Sequence, residues 1–195
     1  MHWLDPNYLP ETQGTLERFV LNPEGDVDGM LLTDGTEIHT PPHLSRQLVE
    51  ALSPGSKLSV RGVKPRDGDV IVAIAISPAD GESIVDQGPD EAHHKAHHKK
   101  HHKKRQEKPV IHCGMIARLL HGPKGDVHGV LLTDETVVRF PPHVGQAHDA
   151  LLLPKGELWV RGHLVANEQG KSIVAHALAS DPDALEAAQD EDELA

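Results

Sequence analysis

The chain has 195 residues, 37% of them hydrophobic but only 3% aromatic, with 17 glycines, 15 prolines and one cysteine. That composition calls for aliphatic cores and many turns, and it excludes an intrachain disulfide or a cysteine-built metal site. The formal net charge is −11. It divides into −9 over residues 1–90, +5 over 91–109 and −7 over 110–195, so two acidic lobes flank a basic strap.

The chain matches itself when shifted by 100. Gly25-Asp26-Val27 recurs as Gly125-Asp126-Val127, Leu31-Leu32-Thr33-Asp34 as Leu131-Leu132-Thr133-Asp134, Pro41-Pro42-His43 as Pro141-Pro142-His143, and Val60-Arg61-Gly62 as Val160-Arg161-Gly162. From 14 to 62 no gap is needed and 21 of 49 positions are identical. Beyond Gly62 the shift becomes 102, which a two-residue change in one hairpin loop explains. Each copy is near the lower size limit for a self-sufficient core, which gives the copies a reason to pack on each other, but the sequence does not decide whether they do.

In chain order, Thr15 to Leu21 reads as a strand, and Asn22-Pro23-Glu24-Gly25-Asp26 as a turn. Val27 to Thr33 is a second strand, and Asp34-Gly35 a hairpin signal. Thr36 to Thr40 is a third strand, stopped by Pro41-Pro42, which cannot donate to a ladder. Leu44 to Leu52 sets Leu44, Leu48, Ala51 and Leu52 on one helical face. Pro54-Gly55 ends that helix. Lys57 to Val63 alternates Leu58 and Val60 inward with Ser59 and Arg61 outward, and Val70 to Ile76 closes the unit. The second copy follows the same order. Its Asp134-Glu135 lacks the hairpin glycine, so a different turn type is expected there. Phe19 and Trp159 are expected to fill cores.

Three strands, a helix and two strands is the order of an OB-fold: mainly β, two five-stranded Greek-key barrels in tandem, each with one short helix between strands three and four. With its Gly-Leu-Leu-x-Asp-Gly and Pro-Pro-His patterns, the chain resembles bacterial OB-fold proteins of nucleic-acid-binding type over about residues 14–77 and 114–178. The division expected is a first OB-like domain over 1–90 (core repeat 14–77), a His/Lys-rich linker over 91–109, a second domain over 110–180 and an acidic tail over 181–195.

The linker carries the strongest chemical signal. His93, His97 and His101 repeat at a spacing of four, with His94, His98 and His102 beside them. Such pairs suit Ni, Zn or Cu, because imidazole is a ligand for all three. His43 and His143 are secondary metal candidates at the strand-to-helix junctions, although a structural role in the turn is favoured. No obligatory cofactor is implied. The same linker is a polycation through Lys95, Lys99, Lys100, Lys103, Lys104 and Arg105, and Arg61 and Arg161 add outward charges on strand four. These eight are the candidate contacts to phosphates. Stacking aromatics are nearly missing from strands two and three, which hold only Phe140 in the second copy, whereas OB-folds gripping single strands stack bases there.

No catalytic constellation emerges. Asp26, Asp34, Asp126 and Asp134 fall at turns, and Cys113 and His112 should point to opposite faces of a strand. The reading is therefore a non-enzymatic binding protein that contacts single-stranded nucleic acid weakly with help from the linker. Divalent-metal binding or buffering by the linker histidines is the alternative, and a protein-interaction scaffold the third. No run approaches the roughly 18 apolar residues of a membrane helix, and Met1 to Pro6 lacks the pattern of a signal peptide, so a cytoplasmic location without membrane contact is expected.

Overall fold

A computed structural model describes residues 5–88 and 109–186. After a 3-10 turn at Pro6–Tyr8, the first copy forms β1 (Glu11–Leu21), β2 (Val27–Leu32), β3 (Glu37–His39), a 3-10 turn (Pro42–Leu44), α1 (Ser45–Ala51), β4 (Lys57–Val63), β5 (Val70–Pro78) and a short β6 (Ile84–Val85). The second forms β7 (Val110–His121), β8 (Val127–Leu132), β9 (Val137–Arg139), α2 (Pro142–Ala147), β10 (Glu157–Asn167) and β11 (Gly170–Ala179). Residues 182–186 are also helical.

Both copies are closed barrels with the strand order of an OB-fold. In barrel one, β1 pairs antiparallel with β2 and β4, β2 with β3 and β4 with β5; the parallel β3–β5 pair, with Ile38 opposite Ile71, closes the ring. In barrel two the parallel β9–β11 pair sets Val138 opposite Ile173, the same register after the shift of 102. The long first strand serves two neighbours: its first half pairs with strand four and its second half with strand two. No helix among the described residues is long and apolar enough to cross a membrane.

The repeated Val-Arg-Gly has a backbone reason. A bulge falls between Arg61 and Gly62 and again between Arg161 and Gly162. A Cβ on Gly62 would lie 2.2 Å from the Val72 carbonyl oxygen, and one on Gly162 2.1 Å from that of Val174. Only glycine lets strand five approach that closely. The aliphatic cores are as the composition requires: Leu16, Phe19, Met30, Leu32, Ile38, Leu48, Leu58 and Val60 in barrel one, and Ile116, Val130, Leu132, Val138, Phe140, Leu158 and Val160 in barrel two.

Two expectations are corrected. The Asp134-Glu135 turn keeps the first copy's geometry: Glu135 adopts φ 70° where Gly35 has 88°. A side chain in the left-handed region costs roughly 1–2 kcal/mol. Asp134 accepts a hydrogen bond from Thr136 N, as Asp34 does from Thr36 N, and Arg18 of barrel one donates to Glu135 Oε1 at 2.8 Å, so surrounding contacts hold the strained residue. Trp159 is not core. Leu158 and Val160 take the inward positions of β10, so alternation turns Trp159 outward, where its Nε1 donates to Glu157 Oε1 at 2.8 Å.

The two barrels pack through equivalent surfaces, as in an isologous dimer. Val20 and Leu31 of one meet Leu120, Leu131 and Val137 of the other in a separate apolar cluster. Arg18 reaches residue 135, and Arg118 reaches residue 35, donating to the Gly35 carbonyl at 2.8 Å. Each 1–2 turn meets the other barrel's 4–5 hairpin. Asn167 donates to the Gly25 carbonyl at 2.8 Å, and a Cβ on Gly125 would lie 1.5 Å from the Asp67 carbonyl oxygen.

That last approach gives a test. Gly125 and Gly35 have the same φ, 88°, but a Cβ on Gly35 meets nothing within 4 Å. Gly35→Ala should lower the unfolding free energy by about 1 kcal/mol through the backbone alone. Gly125→Ala should cost roughly 1–3 kcal/mol more because the hairpin must shift. Urea unfolding of both variants measures the difference.

Candidate functional site

OB-folds commonly bind ligands on the face of strands two and three and on the 1–2 and 4–5 loops. Here that surface is the inter-barrel contact. The outward residues of β2, β3, β8 and β9 are Asp28, Leu31, Glu37 and His39 on one side and His128, Leu131, Val137 and Arg139 on the other, and both pairs of loops lie against the opposite barrel.

A buried polar network lies at the centre. Arg139 is 3% exposed. It donates through Nε to the Leu21 carbonyl at 2.9 Å, through Nη2 to Asp28 Oδ1, and through Nη1 to His128 Nε2. Nδ1 of His128 lies 3.1 Å from the Leu120 carbonyl. A guanidinium only donates, so His128 must accept at Nε2 and carry its proton on Nδ1. Burial, and then the nearby Arg139 charge, push the His128 pKa down to about 4. Burial pushes the Asp28 carboxyl up to about 6, against the pull of Arg139. Burial and then Arg139 also lower the pKa of His39. Beside this group, Glu37 of barrel one accepts from His121 N at 2.6 Å, contacts His121 Nδ1 at 2.9 Å and faces Arg118 at 3.7 Å. These charges stabilise the contact only while paired, because an uncompensated buried charge costs several kcal/mol.

Arg139, Asp28 and His128 were not among the candidate site residues. The signal was in the differences between copies: where copy one has Asp28, Glu37 and His39, copy two has His128, Val137 and Arg139. Such exchanges suit an interface whose halves complement each other.

The predicted site residues are spread out. The linker lysines, Arg105 and the six linker histidines lie outside the described residues. Arg61 pairs with Glu11 at 2.7 Å and donates to the Asn7 carbonyl at 3.1 Å. Arg161 donates to the Leu185 carbonyl at 3.4 Å. The acidic tail is not wholly solvated: Leu185 is 2% exposed, and Asp181 caps the turn by accepting from Ala184 N. His43 Nε2 lies 2.9 Å from Asp86 Oδ1, tying the strand-to-helix junction to the chain after β6; His143 is exposed. Among the described residues no group of three or more His, Cys, Asp or Glu side chains could hold a metal ion. His112 and Cys113 take separate partners, Asp134 at 3.1 Å and Glu157 at 3.2 Å, and burial raises the thiol pKa, which disfavours the thiolate.

The His128 geometry has a pH signature. Its folded pKa lies below that of a free imidazole, about 6.5, so its contribution to stability is lost as pH falls from 6.5 toward 4. Asp28, raised from 3.8 to about 6, acts in the opposite sense between those values. His128→Gln keeps an acceptor without the titration. The variant should therefore gain on the parent as pH drops through this window, by at most about 3 kcal/mol. Denaturation of both proteins at pH 7, 5.5 and 4 reads the gain.

No protein-family model matches the chain, and no curated protein matches it significantly. Among solved structures, the chain is similar to the wild-type single-stranded DNA binding protein from Thermus aquaticus. The match is at 17% identity over 88% of this chain and 91% of that one, with a TM-score of 0.27. A deletion mutant of that protein matches at 16% identity over 88% and 93%, with the same TM-score. The two OB-folds are identified by their own closed strand order.

Proposed function

We propose that this chain is a non-enzymatic binding protein that contacts single-stranded nucleic acid electrostatically, with residues 91–109 supplying most of the attraction. The observation that carries this reading is the distribution of charge around the fold. The strand-two and strand-three faces of both barrels are closed against each other, and the barrels are acidic. Seven of the chain's 19 Lys and Arg residues fall in the 19 residues between them. Neutralising phosphates with such a segment releases counterions and gives salt-sensitive, sequence-tolerant binding.

Binding of a labelled thymidine oligonucleotide, followed by anisotropy, should weaken with salt at a log–log slope of about −0.7 per phosphate neutralised. Changing Lys95, Lys99, Lys100, Lys103 and Lys104 to serine should lower affinity at least tenfold at low salt and flatten that slope. Retained affinity with an unchanged slope would remove the linker from the mechanism.

A second reading, divalent-metal binding by the linker, is favoured by the fourfold spacing of His93, His97 and His101 with His94, His98 and His102 alongside. Neutral imidazole is the ligand, so affinity for Ni²⁺, Zn²⁺ or Cu²⁺ should fall as pH drops below about 6.5. Calorimetric titration with NiCl₂ should show heat in the parent and little in a variant with all six changed to asparagine. Equal stoichiometry in the two would move the site to the barrels, with His43 and His143 the first to test.

A further inference from the structure

The duplication supplies an internal control for the surface of barrel two. The first half of strand one pairs with strand four in both barrels, with Glu11 opposite Arg61 and Ile111 opposite Arg161, and with Gln13 opposite Ser59 and Cys113 opposite Trp159. This ladder lies outside the contact between barrels. In barrel one its outward residues are polar, and Glu11 pairs with Arg61 and accepts from Gln13. In barrel two the equivalents of Glu11, Gln13, Thr15 and Ser59 are Ile111, Cys113, Met115 and Trp159. Ile111 is 60% exposed and Met115 49%, and Trp159 between them is half-buried. The same fold stands in barrel one without these apolar groups, so the architecture does not require them. Exposed apolar groups gathered on one face mark an interaction surface.

The geometry also orients the indole. Glu157 Oε1 accepts from Trp159 Nε1 at 2.8 Å and from Cys113 Sγ at 3.2 Å, which pins the indole edge and engages the nearest carboxylate. Arg161 stands opposite Ile111 on the ladder and donates to the Leu185 carbonyl at 3.4 Å. At the Arg161–Gly162 bulge, the His163 and His176 rings meet edge to face, 4.4 Å between centroids. The strand begins where the basic segment ends: Val110 pairs with Gly162, next to Ile111 opposite Arg161, and residues 91–109 carry a net charge of +5. An outward aromatic side chain on the strand pair that follows a polycationic stretch of sequence suits stacked bases on an anionic backbone.

We propose that this outer face of barrel two, centred on Trp159 with Ile111 and Met115, is a docking surface for single-stranded nucleic acid, with Trp159 as the stacking platform. It rests on the reading that the chain contacts nucleic acid, and it places base contact on strands one and four instead of two and three.

The test uses the full chain with Trp3→Phe, leaving Trp159 as the single tryptophan. Titration with a thymidine oligonucleotide should quench Trp159 fluorescence in step with the anisotropy of the labelled oligonucleotide. Trp159→Ser, which installs the residue found at Ser59, should weaken binding by about tenfold with the salt slope unchanged, since stacking on one base is worth about 1–3 kcal/mol. Trp159→Phe should recover most of that loss. Met115→Thr serves as a second variant, expected to weaken binding severalfold, and thermal melting checks the fold of each. Trp159→Ser binding as tightly as the parent, with the lysine-to-serine linker variant failing to bind, would overturn this face while leaving the electrostatic reading intact. A parent protein that does not bind the oligonucleotide at all overturns both. A parent that sediments as a dimer and does not bind, with Trp159→Ser a monomer, would give the face to a second copy of the chain and likewise overturn the proposal.

Discussion

The guanidinium of Arg139, buried between two acidic barrels, is the constraint on which the arrangement depends. A charge removed from water must be paired and its donors filled, and here the partners come from both copies: Asp28 and the Leu21 carbonyl from one barrel, His128 from the other. The pairing holds only when the barrels sit in one orientation, because a shift of an ångström or two would leave Arg139 and Asp28 buried without partners. The apolar cluster of Val20, Leu31, Leu120, Leu131 and Val137 supplies non-directional attraction, and the polar network fixes its register.

The consequence for function follows from which surfaces are used. The face an OB barrel ordinarily offers to ligands is occupied in both copies by the other copy, together with the turns at Gly25 and Gly125 that would otherwise close over a ligand. The two copies have diverged in two ways. Across the interface they have become complementary, with His128 for Asp28 and Arg139 for His39. On the ladder of strands one and four they have become dissimilar, with Trp159, Met115 and Ile111 where barrel one keeps Ser59, Thr15 and Glu11. The first divergence makes the pair one body, and the second gives that body a distinct outer face on the strand that follows the basic segment in sequence.

Much of the fold was legible in the sequence. The repeat, the alternation of Leu58 and Val60 with Ser59 and Arg61, the proline stop at Pro41-Pro42 and the two-residue change in frame each have a local physical cause, and all recur in the barrels. Trp159 was misplaced because its size suggested a core, although alternation with Leu158 and Val160 already pointed it outward. The turn at Glu135 was misread because its left-handed backbone is held by Arg18, more than a hundred residues away. The candidate site was less legible. Arg61 and Arg161 stood out as outward charges on strand four, but their partners, Glu11 and the Leu185 carbonyl, are set by how the strands and the chain after β11 pack.

By itself the sequence determined the duplication, the order and facing of the strands, the aliphatic cores and the separation of a basic segment from two acidic lobes, because each is a local matter of period, turn chemistry or charge count. Only the tertiary structure decided which faces remain available. Whether the strand-two and strand-three surfaces meet a ligand or each other depends on contacts between residues about a hundred positions apart, such as Asp28 with Arg139 and Glu37 with His121. No local pattern encodes those pairs; they gain their energy from desolvation that exists only once the two barrels have come together.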